Sequence, residues 1–376
     1  MTTTTEPALL RYRPTEAAPQ VTELLERLGL GPFVPDGLTS FGGRNDNWAG
    51  TTGSGAQVFV KTVARGPDGT SPELQRALLF EQLAAGLTPQ SPLRVPEHLG
   101  THEDAAISAY RLLPGARSGS EAALDGDFGE DLCRAAGRAV ATLHSLDPQG
   151  VEGIDTSEAP LPPLRWLEAF PWSEVGDRSM AQIAAWKLVQ DDADAVAALR
   201  RLREAERAAP RTPAHCDLRF DQFILHEGTL HLCDWEEFRL ADAARDVGAF
   251  AGEWLFQATY SVFAPTGDKD APALGFDLTH EEIVERGSAG LRRHIPRIAA
   301  FWQGYLECRD PDPGLAERAV AFAGWHLYDR LIATAQAHAV LNPVARAAAG
   351  IGRTLLLDPA AAVATLRLGP SSGSTP

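Results

Sequence analysis

Beyond residue 115 the apolar side chains of this chain recur at helical spacing, with one interruption. Phe223 to His226, the Glu227-Gly228 turn and Thr229 to Asp234 read as a tight hairpin set among helices. The run leading into it, Ala214-His215-Cys216-Asp217-Leu218-Arg219-Phe220-Asp221-Gln222, is the densest group of functional side chains in the sequence. Because the turn is short, the strand leaving Gln222 folds back antiparallel onto the strand ending at Asp234, which brings the Gln222 amide and the Asp234 carboxylate together. Asp217 lies one loop away from both.

Two oxygen-bearing groups converging at the open end of a hairpin suit Mg²⁺, a hard ion that takes carboxylate and carbonyl oxygens and leaves positions for phosphate. A third carboxylate beside them, Asp217, can accept a hydroxyl proton. Taken singly, Asp217 reads as a loop cap, Asp221 as a turn start and Asp234 as a surface acid. The stronger signal is the spacing of the set, five residues from Asp217 to Gln222 and twelve more to Asp234. His215, directly before the loop, reads as an orienting core histidine, and His226 and His231 as surface residues.

The first 115 residues are strand-rich. Val21, Leu24, Leu25, Leu28 and Leu30 predict a short helix stopped by Gly31-Pro32; a glycine-containing hairpin follows, its second strand Gln57 to Val63. Ser71 to Leu87 reads as a helix, and His98 to Thr101 and Ala106 to Leu113 as strands. Lys61, one of only three lysines, ends an apolar strand. A compact ammonium there can reach a phosphate, the plain alternative being a snorkelling edge lysine. Glu81, flanked by core-type residues, should face a charged partner, for which Lys61 is the candidate. In Phe41-Gly42-Gly43-Arg44-Asn45-Asp46-Asn47-Trp48 the residues Gly42, Gly43 and Asn47 are candidates for backbone approach to a phosphate, though a plain turn fits equally and the pattern matches no P-loop.

In the second half, helices are expected over Glu130 to Leu146, Asp177 to Ala208 as one long element, Ala243 to Tyr260, Thr279 to Glu307, Pro313 to Val340 and Val344 to Leu368. With 34 basic against 50 acidic residues, a net charge of −16 argues against nucleic acid and anionic membrane surfaces as partners. Cys133, Cys216, Cys233 and Cys308 form no paired motif, so neither a disulfide framework nor a zinc site is expected, and a reducing cytoplasm fits. No apolar stretch reaches the ~20 residues of a membrane span.

Read in order, the glycine-containing hairpin, Val60-Lys61, helical Glu81, Pro114-Gly115, Ala141-Thr142-Leu143-His144-Ser145-Leu146, His215-x-Asp217 and Asp234-Trp235-Glu236 resemble the aminoglycoside phosphotransferase and choline kinase family, over roughly residues 35 to 340. The resemblance implies an α+β, bilobal protein-kinase-like fold. An N-terminal extension and helix (1–34) would precede a small antiparallel β N-lobe with one helix (35–115), a large mainly helical C-lobe (116–368) and a disordered tail (369–376). It implies an ATP-dependent phosphotransferase with an alcohol acceptor, in which Lys61 binds the α- and β-phosphates of ATP and Glu81 holds Lys61. By the same resemblance Asp217 is the catalytic base, Gln222 and Asp234 ligate Mg²⁺, Arg111, Leu112 and Leu113 form the adenine hinge, and Asp246 braces the catalytic loop.

The sequence departs from the family at three places. Gln222 stands where asparagine is usual, Cys216 where glycine is usual, and Arg219 where small-molecule kinases commonly have histidine. A cation at Arg219 leans toward charge stabilisation of the moving phosphoryl group, as in transfer to peptides. More narrowly, Gly43 to Gly50 and Cys216 to Phe238 resemble the kinase subunit of class V lanthipeptide synthetases. That likeness implies phosphorylation of Ser/Thr in a ribosomal precursor peptide, with a lyase and a cyclase as further partners. An aminoglycoside-like small hydroxylated substrate is the second reading. A nucleotide-binding pseudokinase, to which the Gln222 departure points, is a third.

Overall fold

The computed structural model describes residues 16–41, 45–66, 68–263 and 278–369. Strands β1 (Asn47–Thr51), β2 (Gln57–Thr62), β3 (His98–His102) and β4 (Ile107–Arg111) form one antiparallel sheet in the order β1-β2-β4-β3. Alternation along β2 gives each sheet face its task. Val58 and Val60 are buried in one cluster with Val21, Leu24 and Leu25 of the helix Pro19–Arg27, so Phe59 and Lys61 fall on the opposite face. The N-terminal helix thus closes the outside of the sheet, and Lys61 is left to the inside.

The helix Pro72–Ala84 starts where expected, with the Ser71 hydroxyl accepting the Leu74 N–H at 3.4 Å and Pro72 in the first turn. Its Ala77, Phe80, Leu83 and Ala84 belong to the core cluster of the large helical lobe, not to that of the sheet. This helix is therefore packed as part of the large lobe's core.

In the large lobe the helices Glu130–His144 and His280–Cys308 cross at two glycines. A Cβ on Gly137 would stand 1.9 Å from the Phe301 carbonyl oxygen and one on Gly304 2.0 Å from that of Arg134, so no larger residue permits this approach. Ala244–Phe263, Leu315–Thr334 and Pro343–Leu357 complete the core. Two expected helices are broken. In place of one element over 177–208 there are Met180–Gln190 and Ala193–Ala208. Asp192 takes the Ala195 N–H at 3.1 Å and is itself held by Arg353 at 2.5 Å, which restarts the helix. The last expected helix bends by 110° between Pro343–Leu357 and Pro359–Thr365, where proline cannot continue the ladder and Asp358 caps Ala361. No single helix among the described residues is long and apolar enough to cross a membrane.

The expected hairpin is present as β7 (Phe223–His226) and β8 (Thr229–Leu232), extended on one side by β5 (Arg117–Ser118). A second ribbon carried no clear sequence signal: β6 (Arg211–Ala214) pairs with β9 (Arg239–Asp242), each only four residues long and one containing Pro213. These two ribbons bracket two loops, 215–222 and 233–238. The pairs Ala214↔Arg239 and Phe223↔Leu232 fix the ends of both loops, so the loops face one another.

Candidate active site

The loop 215–222 is hung from one buried carboxylate. Asp246, in the first turn of the helix Ala244–Phe263 and 0% exposed, accepts the backbone N–H of His215 on Oδ2 and of Cys216 on Oδ1, each at 2.8 Å. His144 Nε2 lies 3.0 Å from the same Oδ2, and its other ring nitrogen is 3.0 Å from the Tyr305 hydroxyl, which the glycine crossing delivers. Burial pushes the Asp246 carboxyl upward, but His144, His215 and the backbone donors outweigh it and hold the group below the usual carboxylate range. To present both N–H groups, Cys216 adopts φ +65°, the left-handed region. That conformation explains why glycine suits this position better than cysteine.

His215 is fully buried, as expected of a core histidine, and its Nε2 lies 2.9 Å from the Cys233 carbonyl, so it ties the first loop to the second. Glu253 adds a brace that the sequence reading missed. It accepts the Phe220 N–H at 3.3 Å and pairs with His326 at 2.6 Å. Burial would raise its carboxyl, yet His326 and Arg330 bring it down to about 2. The available signal was an acid inside Ala251-Gly252-Glu253-Trp254-Leu255, the same core-flanked pattern that singled out Glu81.

Between these braces the expected groups converge. Arg219 lies with Nε 3.2 Å from Asp217 Oδ1 and Nη1 3.3 Å from Asp221 Oδ2. Gln222, 3% exposed, lies between Arg219 and Asp234. As placed, the amide sets nitrogen toward Arg219 Nη2 and oxygen toward Asp234 Oδ2; donors match acceptors when the two are exchanged, with the oxygen 2.9 Å from Arg219 Nη2 and the nitrogen 3.3 Å from Asp234 Oδ2. Asp234, itself at φ +70°, turns Oδ1 to Lys61 Nζ at 2.6 Å. Asp217 is pushed up by burial, against the pull of Arg219, His215 and Arg330.

The expected Lys61–Glu81 pair is not formed. Lys61 is shared instead by Asp234 and Glu236, the latter at 2.5 Å. Burial disfavours the ammonium, but the two carboxylates outweigh it and raise its pKa above the ordinary 10.5. Glu81 has a buried Oε1 without a hydrogen-bond partner, and its pKa is raised by desolvation to about 7. The cause lies in the helix that carries it. Phe80 stacks on Trp235 with centroids 3.4 Å apart, and Arg76 Nε donates to the Glu236 carbonyl at 2.5 Å. These contacts bring the 235–237 loop against the helix, and Glu236 reaches the ammonium.

Asn47 also differs from expectation. Its amide is spent inside its own loop, taking the Phe41 N–H at 2.7 Å and donating to the Phe41 carbonyl at 3.0 Å. Its neighbour Asn45 instead reaches Glu236 at 3.0 Å. Gly42 and Gly43 lie outside the described residues. At the proposed hinge, the Arg111 and Leu112 N–H groups are occupied by the Glu97 and Gln57 carbonyls at 2.8 and 3.1 Å. The Leu113 N–H takes no partner among the described residues.

A small antiparallel lobe, a lysine on its inner face and two acid-bearing loops on a helical lobe define a kinase-like phosphotransferase. The chain belongs to the phosphotransferase enzyme family (APH), whose sequence pattern matches residues 38–276. As a member of that family it is a phosphotransferase. Among solved structures it is similar to an amicoumacin kinase in complex with AMP-PNP, Ca²⁺ and its ligand, at 14% identity and TM-score 0.54, covering 91% of this chain and 94% of that one. A putative fructosamine-3-kinase from Thermobifida fusca matches at 14% identity and TM-score 0.51, covering 91% and 99%. A choline/ethanolamine kinase family protein from Mesorhizobium loti matches at 16% and 0.50, covering 93% and 99%. At such identities the likeness concerns the fold. No curated protein is similar enough in sequence to count as a relative.

Proposed function

We propose that this enzyme transfers the γ-phosphoryl group of ATP to a serine or threonine hydroxyl of a ribosomal precursor peptide, with Asp217 as the base. The observation that carries the chemistry is the chain of contacts Lys61–Asp234–Gln222–Arg219–Asp217, each link between 2.6 and 3.3 Å. It joins a cation on the sheet to a partly exposed carboxylate paired with Arg219. Leu113 offers adenine an N–H that no described residue takes, and Lys61 passes from the carboxylates to phosphate oxygens. Asp217 takes the acceptor proton; burial raises its basicity against the pull of Arg219. Catalysis is placement and electrostatics.

The donor set at Asp234 and Glu236 fits a divalent cation, for which Mg²⁺ is our reading, because both are hard oxygen ligands beside the nucleotide lysine. When bound, such an ion neutralises charge on the β- and γ-phosphates. Gln222 does not fit as a ligand while its oxygen is held by Arg219.

The preference for a peptide rests on Arg219, two residues after the base and turned onto it. A small hydroxylated molecule is the second reading, supported by the three structural neighbours, whose names are those of small-molecule kinases. Incubation with labelled ATP and either Ser/Thr-rich precursor peptides or aminoglycosides separates them. Label on peptide alone is expected; label on the small molecule alone would reverse the assignment. ATP binding with no transfer to any acceptor would make the chain a pseudokinase.

A further inference from the structure

We infer that the Arg219 guanidinium supplies the positive charge that a second divalent cation would bring to this site, so that the enzyme binds its nucleotide with a single cation, held by Asp234. This rests on the phosphotransferase reading above and deepens it. The carrying observation is the commitment of the Gln222 amide. It is closed in by Arg219 Nη2 at 2.9 Å and Asp234 Oδ2 at 3.3 Å, and satisfying both requires the oxygen to face the guanidinium. An ion shared by Gln222 and Asp234 would need the oxygen turned the other way. The amide NH₂ would then press on Arg219 at 2.9 Å, donor against donor, in a buried place where unpaired polar groups are costly.

The Gln222 backbone is fixed at both ends: its N–H donates to the Arg219 carbonyl at 3.1 Å and its carbonyl accepts from the Cys233 N–H at 2.9 Å. Arg219 is gripped on three sides, by Asp217, Asp221 and the amide, and its planar fork matches that set where an ammonium would not. Among the described residues no three His, Cys, Asp or Glu side chains gather as a ligand set.

The test counts metal rather than turnover. Full-length protein in slight excess over AMP-PNP, so that all nucleotide is bound, is titrated with Mn²⁺, and free Mn²⁺ is read by its paramagnetic resonance signal. The wild type is expected to hold about one tight Mn²⁺ per bound nucleotide. Arg219→Met, which frees the Gln222 oxygen, is expected to hold about two. Two tight ions in the wild type would overturn the inference without needing any variant, and so would a count that stays at one in a folded Arg219→Met. Failure of AMP-PNP to bind at all would remove the phosphotransferase reading itself, and this inference with it.

Discussion

Lys61 and Asp234, 173 residues apart in sequence, hold each other at 2.6 Å, and Glu236 shares the same ammonium at 2.5 Å. This clasp closes the sheet lobe onto the 233–238 loop. It leaves Glu81, the residue whose pattern best predicted a partner for Lys61, without one on its buried oxygen. The same site therefore holds a partly exposed Asp217 carboxylate and a lysine occupied by two others.

Asp217→Asn should abolish transfer while leaving nucleotide binding nearly intact. The amide keeps the shape but cannot take a proton, and loss of a positioned base costs about 10²- to 10⁴-fold. Labelled-phosphate transfer and AMP-PNP calorimetry measure the two properties separately. Undiminished transfer would show that another group is the base.

Glu81 should make stability depend on pH in an unusual direction. Unfolded, its carboxyl ionises near 4.5; folded, only near 7, so across that window the folded protein keeps a proton that the unfolded chain has lost. Stability therefore falls as pH rises through the window, by at most about 3 kcal/mol from this group. Glu81→Gln should exceed the wild type in urea resistance at pH 8 and match it at pH 4. Parallel stability curves for the two proteins would exclude this role.

Asp246→Asn should loosen the loop that carries the base. The amide offers one oxygen to two backbone donors and turns an NH₂ toward a third group, in a fully buried site. A loss of about 3 kcal/mol is expected, with a fall in kcat larger than any change in KM for ATP. Thermal melts and steady-state kinetics decide it; unchanged melting would mean the loop is held elsewhere.

Cys216→Gly should be more stable than Cys216→Ala by roughly 1 kcal/mol, although glycine adds freedom to the unfolded chain. Both variants lose the thiol, and only glycine relieves the strain at φ +65°. Urea titration of the pair is sufficient, and an alanine variant of equal or greater stability would contradict the strain argument.

Where chemistry depends on near neighbours in sequence, it was legible in advance. The hairpin Phe223 to Leu232 follows from a two-residue turn between alternating strands, and it alone places Gln222 beside Asp234. The alternation Val58-Phe59-Val60-Lys61 likewise sends the lysine to the inner face, since side chains of a strand alternate regardless of what they meet. The glycine-shaped conformation at Cys216 was visible as a departure from the family but not as a geometry.

What the tertiary structure alone decided is which partner each charge takes. Lys61 chose Asp234 and Glu236 over Glu81 because Phe80 on Trp235 and Arg76 on Glu236 set the helix and the loop against each other. The Glu253 brace depends on His326 from a helix some seventy residues later. The Arg219–Gln222 contact depends on the β6–β9 ribbon, which closes the base of both loops. Sequence periodicity assigns a residue to a face, a choice among a few broad directions. Ion pairing and hydrogen bonding are decided within about an ångström, and that last distance is set by the packing of segments far apart in the chain.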